Sequence, residues 1–308
     1  MFGKSVVNEM IARSAENESD RRRFLRSAGL AGLGVVGGTA LSGLATSSAD
    51  AAGPSDSAIL NFALNLEYLE AEFYSYAYFG HGLDPRLTTG RGDRGGVTGG
   101  RQVKFSSRNV RNYAKEIAQD EIDHVRFLRK ALGSAKVAQP KIDIKNSFTA
   151  AARAAGLIGP RQTFDPYANE NNFLLAAFIF EDVGVTAYKG ASPLIDNKTY
   201  LEAAAGILAV EAYHAGIIRT NLYAKDLFYE ARQISWVRDG VDGKGNDDWG
   251  IGTPDFANLV PTDKNAIAFS RTPARVLNIV YLTDQARRKG GFFPAGVNGS
   301  LNTSGANG

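Results

Sequence analysis

Two stretches of the chain share one pattern: Glu121-Ile122-Asp123-His124 and Glu211-Ala212-Tyr213-His214 are both Glu-x-x-His. On a helix, residues three apart lie on one face, one turn apart, so each stretch would aim a carboxylate and an imidazole the same way. The chain has three histidines, His81, His124 and His214, and two of them sit in the pattern. Two more acids occupy apolar settings. The run from Phe173 to Phe180 is wholly apolar and ends on Glu181, and Phe62 to Leu66 leads into Glu67, with Glu70 one turn further on. A carboxylate in such a setting is costly unless it is paired, hydrogen-bonded or metal-bound. Tyr188 follows Glu181 by seven residues and Tyr74 follows Glu67 by seven, whereas Ala77 stands seven after Glu70. This echo favours Glu67 as the ligand on the first helix. Glu70 is the alternative ligand, otherwise expected in a surface helix pair.

The residue types point to a dinuclear centre. Glu67, Glu121, Glu181 and Glu211 supply bridging and terminal carboxylates, and His124 and His214 supply one imidazole per ion. Four carboxylates balance two divalent cations. Oxygen and imidazole donors suit iron or manganese, with iron favoured. Tyr74 and Tyr188 are placed to hydrogen-bond the ligating carboxylates, and Asp120 and Asp123 to orient the imidazoles. This inventory, one Glu from each of two helices and Glu-x-x-His from each of the other two, is that of di-iron and di-manganese helix bundles. His81, beside glycines at a helix end, reads as an exposed loop residue.

The elements that must carry these residues are helical. Apolar periodicity and capping residues place helices at about 56–79, 106–132, 170–190 and 196–230, with short helices at 148–155 and 272–282. A Gly- and Arg-rich loop follows the first helix (Arg86, Arg91, Arg94, Arg101), its arginines read as solvating the loop. A long connection joins the second and third helices. Residues 238–255 read as turns and the tail from Gly290 as irregular. With no strong strand pattern, the fold class is all-α, a four-helix bundle over 52–230 followed by a loop-rich extension over 231–308.

Composition narrows the function further. The 308 residues include no cysteine, which excludes disulfides, thiolate metal sites and cysteine nucleophiles. A formal charge of +3 is too balanced for a nucleic-acid footprint. Residues 1–51 read as an export signal: a basic segment with Arg21-Arg22-Arg23-Phe24-Leu25, an apolar Gly/Ala-rich stretch from Ala28 to Ala45, and a small-x-small site at Ala49-Asp50-Ala51. The paired arginines resemble the twin-arginine signal, with Asp20 where Ser or Thr is usual. Such a signal implies the twin-arginine translocase as a partner, a periplasmic or other extracytoplasmic destination, and a cofactor inserted before export. The methionines, Met1 and Met10, lie in this segment, so the mature chain carries no sulfur, which suits contact with oxidants.

The ligand pattern resembles the ferritin-like superfamily, matching at Glu67, Glu121, His124, Glu181, Glu211 and His214. The stretches Leu66 to Tyr74, Phe269 to Pro273 and Gly290 to Pro294 resemble its desiccation-related branch. The resemblance covers about residues 55–298. It implies an up-down-down-up bundle with a long crossover, a stress-associated role, and chemistry with oxygen or peroxide. The expected work is ferrous-ion oxidation or peroxide removal. The rivals are a structural stress protein that keeps the fold while metal is incidental, and an enzyme that uses the same centre on an organic substrate, as di-iron oxygenases do. The long loop and the tail fit a monomer or dimer better than a closed cage. Replacing Arg21 and Arg22 by Lys is expected to leave precursor in the cytoplasm on fractionation; undiminished export of that variant would remove the twin-arginine reading.

Overall fold

The computed structural model describes residues 53–243 and 245–307; the export signal expected at 1–51 lies outside the described residues. Four long helices carry the fold. The first, α1, is Asp56–Phe79, begun by the Ser55 hydroxyl accepting from Ala58 N and ended by Gly80 in the left-handed conformation. The second, α2, is Arg108–Leu132, capped by Ser107 and stopped at Gly133. A short α3, Asn146–Ala154, lies in the crossover. Next come α4, Glu170–Ala191, capped by Asn169, and α5, Lys198–Ala224, capped by Asn197. Helix α1 packs along α2, and α4 along α5. These two helical hairpins, joined by the crossover, form the all-α bundle expected from the sequence.

The sequence expectation ran the fourth helix to about Glu230. Instead it ends at Ala224, and a separate α6 spans Phe228–Val241. The break is a turn at 225–227, where Asp226 takes a positive φ of 56° that a helix interior does not allow. Helix α6 also occupies the first part of the stretch read as turns. The stretch beyond it carries a two-residue hairpin, β3 Gly252–Thr253 with β4 Phe256–Ala257. Two further short strands, β1 Val97–Thr98 and β2 Ile142–Asp143, pair in parallel and fasten the first loop to the crossover. Helix α7, Pro273–Tyr281, begins as expected, with Thr272 as cap and Pro273 at its first position.

Burial explains why the helices sit where they do. Helices α1 and α4 are buried on nearly all sides, α1 carrying polar as well as apolar residues into the interior. Helix α2 buries a stripe of Val110, Ala114, Ile117, Glu121, His124 and Leu128, and α5 a stripe of Ile207, Glu211, His214, Ile218 and Leu222. Each Glu-x-x-His therefore lies on the inward face of its helix. The outer face of α1 is polar but covered. Asn61 receives Val137 N, Asn65 receives Asn298 N while donating to Asn298 O, and Glu72 receives Leu83 N at 3.1 Å. Glu72 is thus 3 % exposed and holds a loop in place. Burial pushes its carboxyl up to about 7.

The tail expected to end without structure has no helix or strand, yet it is part of the core. Phe292 and Phe293 are fully buried, and the Phe292 ring meets Phe148 and Phe180 edge-on at 5.0 and 4.9 Å. Arginine–aspartate pairs fasten α6, α7 and their loops to the bundle. Asp182 of α4 accepts from Arg219 at 2.8 Å and Arg238 at 2.9 Å. Asp248 accepts from Arg238 and Arg271, and Asp242 from Arg271 and Arg275. At Gly190 of α4, an added Cβ would lie 1.9 Å from the carbonyl oxygen of Arg271, so glycine permits this close approach. Phe292→Ala is expected to cost about 3–5 kcal/mol in denaturant unfolding, as for a core aromatic. A loss under about 0.5 kcal/mol, the size of a surface substitution, would show the tail to be peripheral.

Candidate metal centre

The stripes of α2 and α5 and the inner faces of α1 and α4 bring all six expected ligands to one place. His124 Nδ1 lies 3.2 Å from Glu67 Oε2, 3.5 Å from Glu121 Oε2 and 3.8 Å from Glu211 Oε1. His214 Nδ1 lies 3.1 Å from Glu121 Oε1 and 3.6 Å from Glu181 Oε2. Donor atoms of Glu67, Glu121, His124 and Glu211 fall within 4.8 Å of one another, as do those of Glu121, Glu181 and His214. Glu121 belongs to both groups and faces one imidazole with each oxygen. The imidazole centroids are 6.4 Å apart.

The tyrosines cross over between the helix pairs. Tyr74 of α1 donates to Glu181 of α4, and Tyr188 of α4 donates to Glu67 of α1. Each orients a carboxylate on the opposite hairpin, so the two halves of the site hold each other in register. Asp120 Oδ2 lies 3.1 Å from His214 Nε2, as expected of an orienting carboxylate. Asp123 departs from that expectation. It projects to the surface and pairs with Arg126 at 2.7 Å and Gln119 at 2.9 Å, because it sits one position short of the inward stripe. His124 has no such carboxylate among the described residues and keeps 11 % of its side chain exposed, against 3 % for His214. The two halves of the centre are therefore unequal. His81 is exposed in the loop, apart from the centre.

Glu70 is not at the surface. It is 5 % exposed, and burial together with the charges of Glu121, Glu181 and Glu67 pushes its pKa well above the usual carboxylate range. A fifth acid thus stands beside the six residues, outside the two groups of converging donors. Its signal was its place one turn from Glu67 on a helix whose apolar residues are not confined to one face. Gly184 was also missed. A Cβ there would lie 2.2 Å from Glu211 Oε2, so this glycine inside α4 makes the room in which the Glu211 carboxylate stands.

Burial raises Glu67 to about 7, the Glu121 charge adding to it and His124 opposing it. Glu211 is raised well above its ordinary value by burial and then by Glu70 and Glu121, and Glu181 is raised by burial against the pull of His214. Burial also acts on Glu121, but the close approach of both imidazoles and their charge outweigh it and hold that carboxyl low. Burial alone would lower both imidazoles. The surrounding carboxylates, Glu67 first for His124, reverse this and raise His124 to about 12 and His214 well above its usual value. Without metal, the raised proton affinity of Glu67, Glu181, Glu211 and both imidazoles offsets the gathered negative charge, while Glu121 is held low.

A metal pair suits these residues. Both oxygens of Glu121 and Glu211, Glu181 Oε2 and His214 Nδ1 are buried without a hydrogen-bond partner among the described residues. Such atoms are rare in a folded interior unless an ion or water completes them. The donors are oxygen and nitrogen only, a set that hard and borderline divalent ions accept.

Comparison with known proteins agrees with this site. A ferritin-like domain is matched over residues 55–224, which spans all six residues. The chain belongs to the ferritin-like family, in its desiccation-related branch. It is 33 % identical over 267 residues to desiccation-related protein PCC13-62 of Craterostigma plantagineum, covering 80 % of this chain and 83 % of that one. It is 29 % identical over 268 residues to ferritin-like catalase Nec2 of Nesocodon mauritianus, covering 79 % and 83 %. No solved structure gave a significant match.

The sign of the pH dependence follows from the raised groups. Between about pH 5 and 8 the folded apo protein holds protons on Glu67, Glu211 and the imidazoles that the unfolded chain gives up, so its stability falls as pH rises. The melting temperature of chelator-treated protein is expected to drop across this window and that of metal-loaded protein to stay level or rise. An apo melting temperature that climbs with pH would contradict the proton-filled site.

Proposed function

We propose that the centre holds two iron or manganese ions, iron favoured, and removes peroxide. Glu67, Glu121, His124 and Glu211 would hold one ion and Glu121, Glu181 and His214 the other, with Glu121 shared. The observation that carries this reading is the set of six buried donor atoms without partners, gathered at the crossing of four helices. The bound ions would supply reversible electron transfer to and from peroxide. The rest falls to the chain. Disproportionation turns two peroxides into two waters and one dioxygen, and the protons released by the peroxide that is oxidised must reach the one that is reduced. Glu70, a buried acid beside the ligands, is placed to hold such a proton. Tyr74 and Tyr188 keep Glu181 and Glu67 in position, and the apolar residues around the site exclude bulk water.

Peroxide removal is favoured over ferrous-ion oxidation by the likeness to a protein named as a catalase. Ferrous oxidation by oxygen uses the same ligands and is the second reading. The likeness to a protein named only as desiccation-related supports a third, a structural stress protein in which metal has no catalytic part. We further propose export through the twin-arginine route to an extracytoplasmic space, where a sulfur-free mature chain resists oxidation. The sequence arguments that favour a monomer or dimer support that assembly state.

A variant with both His124→Ala and His214→Ala is expected to keep its helical circular dichroism, to bind less than one ion per chain, and to consume peroxide no faster than free metal. If wild-type protein loaded with iron or with manganese consumes neither peroxide nor oxygen above the free-metal rate, the redox reading fails and the structural one replaces it.

A further inference from the structure

Away from the metal centre, an open cleft of about 860 Å³ lies between the outer face of α1 and the loop that follows it, within the size range of small-molecule sites. Glu72 and Gln139 form its floor, 3 % and 2 % exposed. Tyr76, Leu83, Thr88 and Arg94 stand around it. The floor is anchored. Glu72 Oε2 receives Leu83 N at 3.1 Å, and Gly82 lies so close that an added Cβ would stand 2.2 Å from that oxygen. Glu72 Oε1 receives no hydrogen bond from the described residues and is not among the oxygens sealed from solvent.

Two groups of opposite charge line this cleft, and neither has an ionic partner among the described residues. Outside the metal centre and Glu70 beside it, the other buried acids (Glu170, Asp182, Asp242 and Asp248) each meet an arginine or lysine. Glu72 meets none. Arg94 likewise meets no carboxylate. Its Nε donates to Thr88 Oγ1 at 2.8 Å and its Nη2 to the carbonyl of Pro85 at 3.1 Å. These two bonds fix the guanidinium at the cleft and leave Nη1 free to bind. A buried carboxylate without a cation is costly, so the floor favours a positive group. A simple cation would be repelled by Arg94 and a simple anion by Glu72, while a neutral polyol would leave both charges uncompensated. A molecule that carries both charges complements both ends.

We propose that this cleft binds small zwitterions, an ammonium and a carboxylate on a short chain, with the ammonium donating to Glu72 Oε1 and the carboxylate accepting from Arg94 Nη1. One arginine of the first loop then has a use beyond solvating that loop. Neither residue belongs to the metal centre, so the site does not rest on the function proposed there.

The test uses metal-loaded protein at pH 8, where the Glu72 carboxyl, raised by burial to about 7, is ionised. The probes are glycine, 4-aminobutyrate and 6-aminohexanoate, which hold the same two charges at increasing separation. Calorimetry and ligand-observed NMR are expected to show saturable one-to-one binding of at least one of them. The alkylamine and the alkanoate of matching length should each bind about tenfold more weakly than that probe, a typical loss for one hydrogen bond between charged groups. Arg94→Gln, an exposed position, should weaken binding of the zwitterion about tenfold and leave binding of the alkylamine undiminished. Glu72→Gln keeps an oxygen for Leu83 N and should weaken the zwitterion by a similar factor; if that variant fails to fold, Arg94→Gln decides. Neither should change metal content. No saturable binding of any of the three zwitterions, an amine or acid that binds as tightly as the zwitterion, or undiminished binding by Arg94→Gln would each overturn the proposal. Glucose binding tenfold tighter than the best zwitterion would assign the cleft to polyols instead.

Discussion

The governing constraint is the gathering of negative charge in an apolar interior. Glu67, Glu70, Glu121, Glu181 and Glu211 are each at most 5 % exposed and stand close enough to shift one another's proton affinity. Among the described residues, His124 and His214 are the cations that stand among them. Burying carboxylates at close range is unfavourable through both desolvation and repulsion. The surroundings must therefore be strong enough to hold the acids in place, and α1 and α4 supply this by being packed around nearly their whole circumference. Protons or divalent cations then complete the charge balance.

Helix α4 carries two ionic systems of opposite character on adjacent residues. Glu181 points into the acid-rich centre, where oxygen atoms lack partners. Asp182, one position on, points to the other side, where Arg219 and Arg238 both bond it. In that second system the arginines and aspartates match closely, and it makes a complete account of itself as a fastening between the bundle and its C-terminal layer. The first is short of positive charge. The same chemical types are thus structural on one face of the helix and a site on the other, and the difference lies in whether the charges close.

The layer beyond the four helices shapes the centre without supplying ligands. The tail brings Phe292 into the aromatic cluster with Phe148 and Phe180, and Asn298 locks to Asn65 on the outer face of α1. On the open side, Asp120 and the partly exposed His124 ring mark where α2 and α5 leave the site nearest to solvent. The extension therefore closes the bundle on some sides and leaves the α2–α5 side nearest to solvent.

Much of this was present in the sequence as spacing. The Glu-x-x-His pairs, the Glu…Tyr echo and the capping residues Ser55, Ser107, Asn197 and Thr272 are local patterns of a helix, and helix periodicity converts them directly into faces. What the spacing could not carry were relations between helices. That Tyr74 serves Glu181 and Tyr188 serves Glu67, that Asp120 reaches His214 while Asp123 turns outward, and that Glu70 is buried all depend on how the helices rotate against each other. The break at Asp226 and the packing of an irregular tail were hidden for a related reason. A segment without periodicity declares its burial only through the partners it meets, and Phe292 meets them from more than a hundred residues away.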